Sequence, residues 1–226
     1  MKKNNIKRIA SNEELGDLKE ILEAVGLNVD EVSQETCLPD PELLMYYKNL
    51  SNREIWLDDS IDISTLEISK LIMHFNKMDS GLPVEERKPI KIYIYSYGGE
   101  VSACFNLVDT ISLSKTPIYT YNMGVAMSAA FLILISGHKR FATKNSTALV
   151  HSGSGGTQGT YEQTEAQMKD YKHSVEVMRE YVLTKTTIDP KKFAKNKGID
   201  WYMYADEQLK NGAIDKILES VDDLWI

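Results

Sequence analysis

From Arg53 onward the apolar positions fall into short runs whose spacing alternates between period two and helical period, and each run reads as one element. IWL is a strand, and ISTLEISKLIMHFNKM is an amphipathic helix with Leu66, Leu71, Ile72 and Phe75 at helical spacing. KPIKIYIYS is a strand, YGGEVSACFNLVDTISLS a tight turn followed by a helix, and PIYTYNM a further strand. SAAFLILISG is an apolar helix that Gly137 stops, KRFAT a short strand, and STALVHS a strand running into His151. TYEQTEAQMKDYKHSVEVMREYVLTKT is one long helix, and WYMYADEQLKNGAIDKIL supplies a last helix and a closing strand. Strands alternating with helices in this way predict an α/β class of stacked units.

The first 47 residues break that pattern. SNEELGDLKEILEAVG predicts an acidic helix capped by Ser11 or Asn12 and closed by Gly26, and the Pro-containing CLPDPELL follows it. Residues 1–47 are therefore read as a partly helical extension and residues 48–226 as the main domain. Of the 226 residues, 42% are hydrophobic, enough for a substantial core. The net charge of −7 argues against nucleic acid or an anionic membrane as the main partner, since both repel an acidic surface. Cys37 and Cys104 are too few and too far apart for a disulfide framework or a metal knuckle, so no metal and no cofactor is expected. Neither a signal peptide nor a run of ~18 apolar residues is visible, which places the expected location in the cytoplasm.

Candidate chemistry gathers at two junctions, YSYGGEVSACF and NMGVAMSAAF, where small residues stand between a strand and a helix. Such turns leave backbone N–H groups directed outward with a positive helix end behind them. Gly98 and Gly99 permit strained backbone angles, and Gly124 and Ala126 let the chain pass closely beneath Ser128. Singly, a Gly-Gly pair is an ordinary turn and a serine before a helix an ordinary N-cap. A nucleophilic serine needs a histidine base and a carboxylate to orient it. His74, His138 and His173 suit structural or solvated positions, whereas His151 ends a buried strand and runs into the flexible SGSGG, which makes it the candidate base. For the carboxylate, Asp189 and Asp206 suit helix caps and Asp215 a turn, while Asp200 precedes an aromatic run expected to be buried. Sequence position alone leaves these four open.

Taken together, YSYGGEVSACFNLVDTI, GVAMSAAFLILISGHKRFATKNSTALVHSGSGG and IDWYMYADEQLKNGAID resemble the proteolytic subunit of the Clp protease, ClpP, over about three quarters of the chain. The resemblance implies a crotonase-like fold with a long helix projecting between the catalytic histidine and aspartate. It also implies a triad of Ser128, His151 and Asp200 and an oxyanion hole made by the backbone amides of Gly99 and Ala129. It further implies a homo-oligomer of two stacked heptameric rings that cleaves unfolded polypeptides fed by an AAA+ unfoldase of the Clp type. In the implied assembly the rings meet through the long helix, whose Met168, Tyr171, Val175, Met178 and Val182 form an apolar face. Tyr93 matches an aromatic position of the family's ATPase-docking cleft. Three features depart from the family pattern: Ala129 replaces a bulky residue, SGSGG replaces a Gln-Pro segment after the histidine, and Tyr95 and Tyr97 replace a polar residue and a proline. Alternative readings are a non-catalytic ring subunit, a crotonase-type acyl-CoA enzyme and a phage maturation peptidase.

Overall fold

A computed structural model describes residues 41–196 and 198–225, and the helix expected over 11–26 lies outside them. The chain divides into two compact units, Met1–Ile55 and Trp56–Ile226. In the first, helix α1 (Pro41–Ser51) is followed by strand β1 (Glu54–Leu57), which straddles the boundary.

The second unit opens with a capped 3₁₀ turn, Ile63–Thr65, that leads into α2 (Leu66–Met78). The apolar residues of α2 that are buried are Ile68, Ile72 and Phe75, while Leu66 and Leu71 are only half-covered. Strand β2 (Ile90–Ser96) is followed by α3 (Val101–Leu113) and β3 (Ile118–Met127), a parallel crossover whose helix packs between α2 and α4 (Ala129–Leu134). Ile90, Ile92, Ile94 and the intervening Tyr93 are all buried, as expected for a parallel strand covered on both faces. Strands β4 (Lys139–Ala142) and β5 (Thr147–Val150) come next. The long helix α5 (Tyr161–Lys185), α6 (Pro190–Asn196), β6 (Trp201–Tyr204), α7 (Ala205–Lys210) and β7 (Lys216–Ile217) complete the unit.

The strand predicted to end at Met123 runs on to Met127, because β3 serves two sets of partners. Residues 119–122 pair in parallel with β4, and residues 125–127 pair in parallel with β5. Between them the register against β2 shifts, from Ile94 opposite Asn122 to Ser96 opposite Ala126. Gly124 makes the bulge at φ 156°, where an added Cβ would come within 2.8 Å of the Tyr95 ring. The buried Asn122 covers the gap: its amide donates to Thr147 O (3.1 Å) and Gln208 Oε1 (3.2 Å), and its Oδ1 accepts from Gly124 N (3.1 Å).

Three expectations for the C-terminal third need correction. The aromatic run WYMY is a strand, β6, antiparallel to β5, and it alternates so that Met203 is buried while Tyr202 and Tyr204 are exposed. Asp206 lies within the first turn of α7 and does not cap it; the N-cap is Tyr204. Helix α6 is an element that the sequence pattern does not predict, although its cap is: Asp189 Oδ1 accepts from Lys191 N and Lys192 N, both at 2.9 Å.

Arg140 ties this region together. Its side chain makes a bidentate contact with Asp215 (2.5 and 3.2 Å) and donates to the carbonyls of Lys185 and Gly212, both at 2.8 Å. Lysine cannot reproduce that fork, so Arg140→Lys is expected to lower the stability by about 1–3 kcal/mol in urea denaturation.

A second prediction concerns pH. His138, the residue before β4, is exposed overall, but desolvation of its ring lowers its pKa. Its Nδ1 accepts the Ile118 N–H at 2.9 Å, a bond that only the unprotonated nitrogen can make. With the folded pKa below the unfolded one, the unfolded chain binds the extra proton first, so stability falls as pH drops below ~6.5. His138→Asn should flatten that part of the stability profile measured by thermal denaturation between pH 7 and 5.

Candidate active site

Ser128 stands between β3 and α4 with φ 53° and ψ −120°, a conformation that a residue with a Cβ adopts only when its surroundings enforce it. The enforcing contacts are visible. Its N–H donates to Leu149 O (3.0 Å) on β5, and its carbonyl accepts from Phe131 N (3.0 Å) in α4. The residue occupies the N-cap position of α4, yet its side chain makes no capping bond. The hydroxyl instead meets His151 Nε2 at 2.7 Å.

His151 is the first residue after β5, and because β5 pairs with the end of β3, serine and histidine leave the sheet side by side. On its other edge β5 pairs with β6, bringing Val150 opposite Trp201. Asp200, immediately before β6, thereby comes to His151, with Oδ1 3.3 Å from Nδ1. The burial expected for this carboxylate is not found: its side chain is 57% exposed. Of the other acidic residues weighed from sequence, Asp189 is engaged as a cap and Asp215 by Arg140. His74 and His173 are exposed.

The Gly-Gly turn lies directly on the serine turn. A Cβ added to Gly98, at φ 102°, would stand 2.8 Å from Ser128 Cβ and 3.1 Å from Ala129 N. Gly99 is pressed on its other side by Ile61, whose carbonyl would be 2.1 Å from an added Cβ. Ile61 accepts from Glu100 N (2.7 Å) and donates to Gly98 O (2.9 Å), bonds that flank Gly99 without using its own N–H. Gly99 and Ala129, the latter opening α4, line the same space as Ser128.

That space is a cavity of about 320 Å³. Its floor and walls are mainly apolar: Phe131 and Leu132 from α4, Met178 and Val182 from α5, and Phe193 from α6. Tyr97 stands at its edge, 68% exposed and edge-on to Tyr95 at 6.4 Å. Glu176 and Arg179 also line it and are ion-paired with each other. The apolar face read on α5 therefore turns toward cavities of its own chain: Val175, Met178 and Val182 line this one, and Met168 and Tyr171 a neighbouring one. Tyr93 is buried, ringed by Trp56 and Tyr121.

Sequence reasoning missed Ile61, Phe131 and Phe193, and it singled out Tyr97 only as a departure from the family pattern. Phe131 and Phe193 are apolar residues at helical spacing, a signal shared with any core position. Beneath the site Cys104 Sγ donates to Ala129 O at 3.2 Å, and burial pushes the thiol up to about 12. Among the described residues no group of three or more His, Cys, Asp or Glu could hold a metal ion. Likewise none of the described helices is long and apolar enough to cross a membrane.

Comparison with known proteins agrees with the sheet topology and the ordered motifs. Residues 42–221 match the Clp protease family, so the matching region begins within the segment 1–47 that the sequence sets apart. The chain is 33% identical over 187 residues to the ATP-dependent Clp protease proteolytic subunit 2 of Treponema denticola, covering 82% of this chain and 90% of that protein. It is 28% identical over 177 residues to the ATP-dependent Clp protease proteolytic subunit of Deinococcus radiodurans, covering 77% and 84%. Among solved structures, a mutant of ClpP1 from Listeria monocytogenes superposes with a TM-score of 0.68 at 21% identity, over 80% of this chain and 99% of that one. The fold is the α/β ClpP fold. The chain belongs to the Clp protease family.

Proposed function

We propose that the protein is a serine endopeptidase of the ClpP type that cleaves unfolded polypeptide. The observation that carries this reading is the 2.7 Å contact between Ser128 Oγ and His151 Nε2, made by a serine held in a strained conformation against a Gly-Gly turn. With the Nδ1 proton facing Asp200, Nε2 accepts the hydroxyl proton as Oγ attacks a peptide carbonyl. The developing oxyanion is received by the Gly99 and Ala129 N–H groups. Collapse breaks the C–N bond, His151 returns the proton to the leaving amine, and water then hydrolyses the acyl-serine by the same route. The apolar cavity beside Ser128 accommodates a large apolar side chain of the substrate.

The same reading extends to assembly and location. The named relatives are proteolytic subunits of ATP-dependent proteases, which supports a cytoplasmic homo-oligomer of stacked heptameric rings that receives substrate from a Clp-type AAA+ unfoldase. Enclosure would keep an unselective nucleophile away from folded proteins. The intact serine–histidine contact argues against a non-catalytic subunit, and a serine paired with a histidine base is foreign to the acyl-CoA reading.

Ser128→Ala and His151→Ala are each expected to lower kcat for a fluorogenic peptide by about 10⁴ or more, and Ser128→Ala to abolish labelling by a fluorophosphonate. Asp200→Asn is expected to lower kcat by about 10²–10⁴, since the amide favours the wrong imidazole tautomer. Wild-type turnover in the Ser128 or His151 variant would overturn the assignment, and an unlabelled wild-type serine would favour the acyl-CoA reading.

A further inference from the structure

Fixed charge in the Ser128 cavity comes from one place. Among the described residues that line it, Glu176 and Arg179 are the only Asp, Glu, Lys or Arg side chains, and both belong to α5. Arg179 follows Val175 by four positions and so shares the helix face on which Val175, Met178 and Val182 line the cavity, while Glu176 stands one turn back at the flank of that face. This stretch of α5 borders the nucleophile itself, where a substrate has to pass if Ser128 is to act.

The two side chains are joined through Arg179 Nη1 and Glu176 Oε1. An ordinary pair at this spacing is mostly solvated: Lys70 and Glu67 on α2 are 68% and 69% exposed. Arg179 is only 38% exposed and borders a cavity whose other walls are mainly apolar. A guanidinium in that position needs a counter-charge, and Glu176 supplies it. Because the two charges cancel at short range, a charged side chain entering the cavity would give up water without meeting an unpaired opposite charge. An uncharged one packs against Phe131, Met178 and the apolar stem of Arg179 at no such cost. Gly99, Ser128 and Ala129 line the same cavity, so the side chain that reaches it is that of the residue whose carbonyl is attacked.

Resting on the peptidase reading above, we infer that the Glu176–Arg179 pair determines specificity at the scissile bond. By cancelling the charge of Arg179, Glu176 makes the cavity select an uncharged side chain on the residue that Ser128 attacks. Either charge left alone recruits a side chain of the opposite sign.

The test uses the full chain and fluorogenic peptides of one sequence that differ only at the attacked residue, which is norleucine, Lys or Glu. The wild type should show kcat/KM higher for norleucine than for Lys or Glu by about ten-fold or more. Glu176→Gln, which leaves Arg179 unpaired, should raise kcat/KM for the Glu peptide by about five-fold and lower it for Lys. Arg179→Gln should do the reverse and favour Lys. The exchanged pair, Glu176→Arg with Arg179→Glu, restores the cancellation and should return the norleucine preference. Loss of helix packing alone would lower turnover of all three peptides together, so the Glu-to-Lys ratio is the readout that a merely structural role does not move. Binding of the same peptides, fluorescently labelled, to Ser128→Ala reports the preference without turnover. Equal cleavage of the three peptides by the wild type, or a Glu-to-Lys ratio unmoved in both single variants, would overturn this role and leave the peptidase reading intact. Binding with the charge preference but no cleavage by the wild type would keep the role and remove the peptidase reading. A change in particle mass in the single variants with an unchanged ratio would assign the pair to assembly and overturn its part in specificity.

Discussion

The geometry at Ser128 depends on one constraint, the change of partners along β3. A strand paired with β4 through Asn122 and with β5 from Val125 must leave backbone groups without a ladder partner between the two. A buried unpaired amide or carbonyl there would cost ~1–3 kcal/mol. Asn122 resolves the problem because its side chain carries both a donor and an acceptor: the amide takes over Thr147 O, and the carbonyl oxygen receives Gly124 N. Gln208, fully buried, backs the arrangement by accepting from Asn122 and donating to Ser146 O and Met203 O. The gap in the ladder is thus filled by side chains from β3 and α7. Past the gap, Val125 to Met127 run along β5 and deliver Ser128 beside His151, the first residue after that strand.

Strain at Ser128 is sustained by the same pairing. The φ of 53° with ψ of −120° costs of order 1–3 kcal/mol, and the bond from Ser128 N to Leu149 O continues the β3–β5 ladder by one residue beyond Met127. The strained angle turns the side chain out of the helix-capping direction and toward His151. Gly98 must then be glycine for two reasons at once: its φ of 102°, and the 2.8 Å that would separate a Cβ from that of Ser128. Ile61 clamps the turn from behind through its bonds with Gly98 O and Glu100 N, which hold the backbone on either side of Gly99.

The order of strands and helices was legible in the sequence because most elements carry one clean period. IKIYIY, with isoleucine at every second position, reads as a strand, and the long polar helix was unmistakable. The misreadings share a cause, which is that tertiary pairing overrode local pattern. Met123-Gly124 looked like a strand end since a glycine there normally punctuates; the bulge that carries the strand past it is stabilised by Asn122, a residue whose neighbours in space are 25 and 86 positions away. WYMY looked like a buried aromatic run, whereas β6 is covered on one face only and shows its tyrosines to solvent. The candidate residues were legible in type, as a serine among small residues and a histidine ending a strand. Asp200 was not distinguishable by spacing from Asp189, Asp206 or Asp215; what separates it is the antiparallel β5–β6 register, a long-range fact that no local window contains.

Exposure sets what Asp200 can contribute on the proposed mechanism. A charge pair at 3.3 Å with the carboxylate 57% exposed lies largely in the dielectric of water, where an ion pair is worth at most about 1 kcal/mol. Stabilising the imidazolium by charge alone is therefore a small part of its work in this chain. Its larger effect is on the ring itself: an acceptor at Nδ1 selects the tautomer that leaves Nε2 unprotonated toward Ser128. That selection requires a hydrogen-bond acceptor in the right place and does not require burial. The register of β5 and β6 supplies the position, and water can surround the far side of the carboxylate without disturbing it.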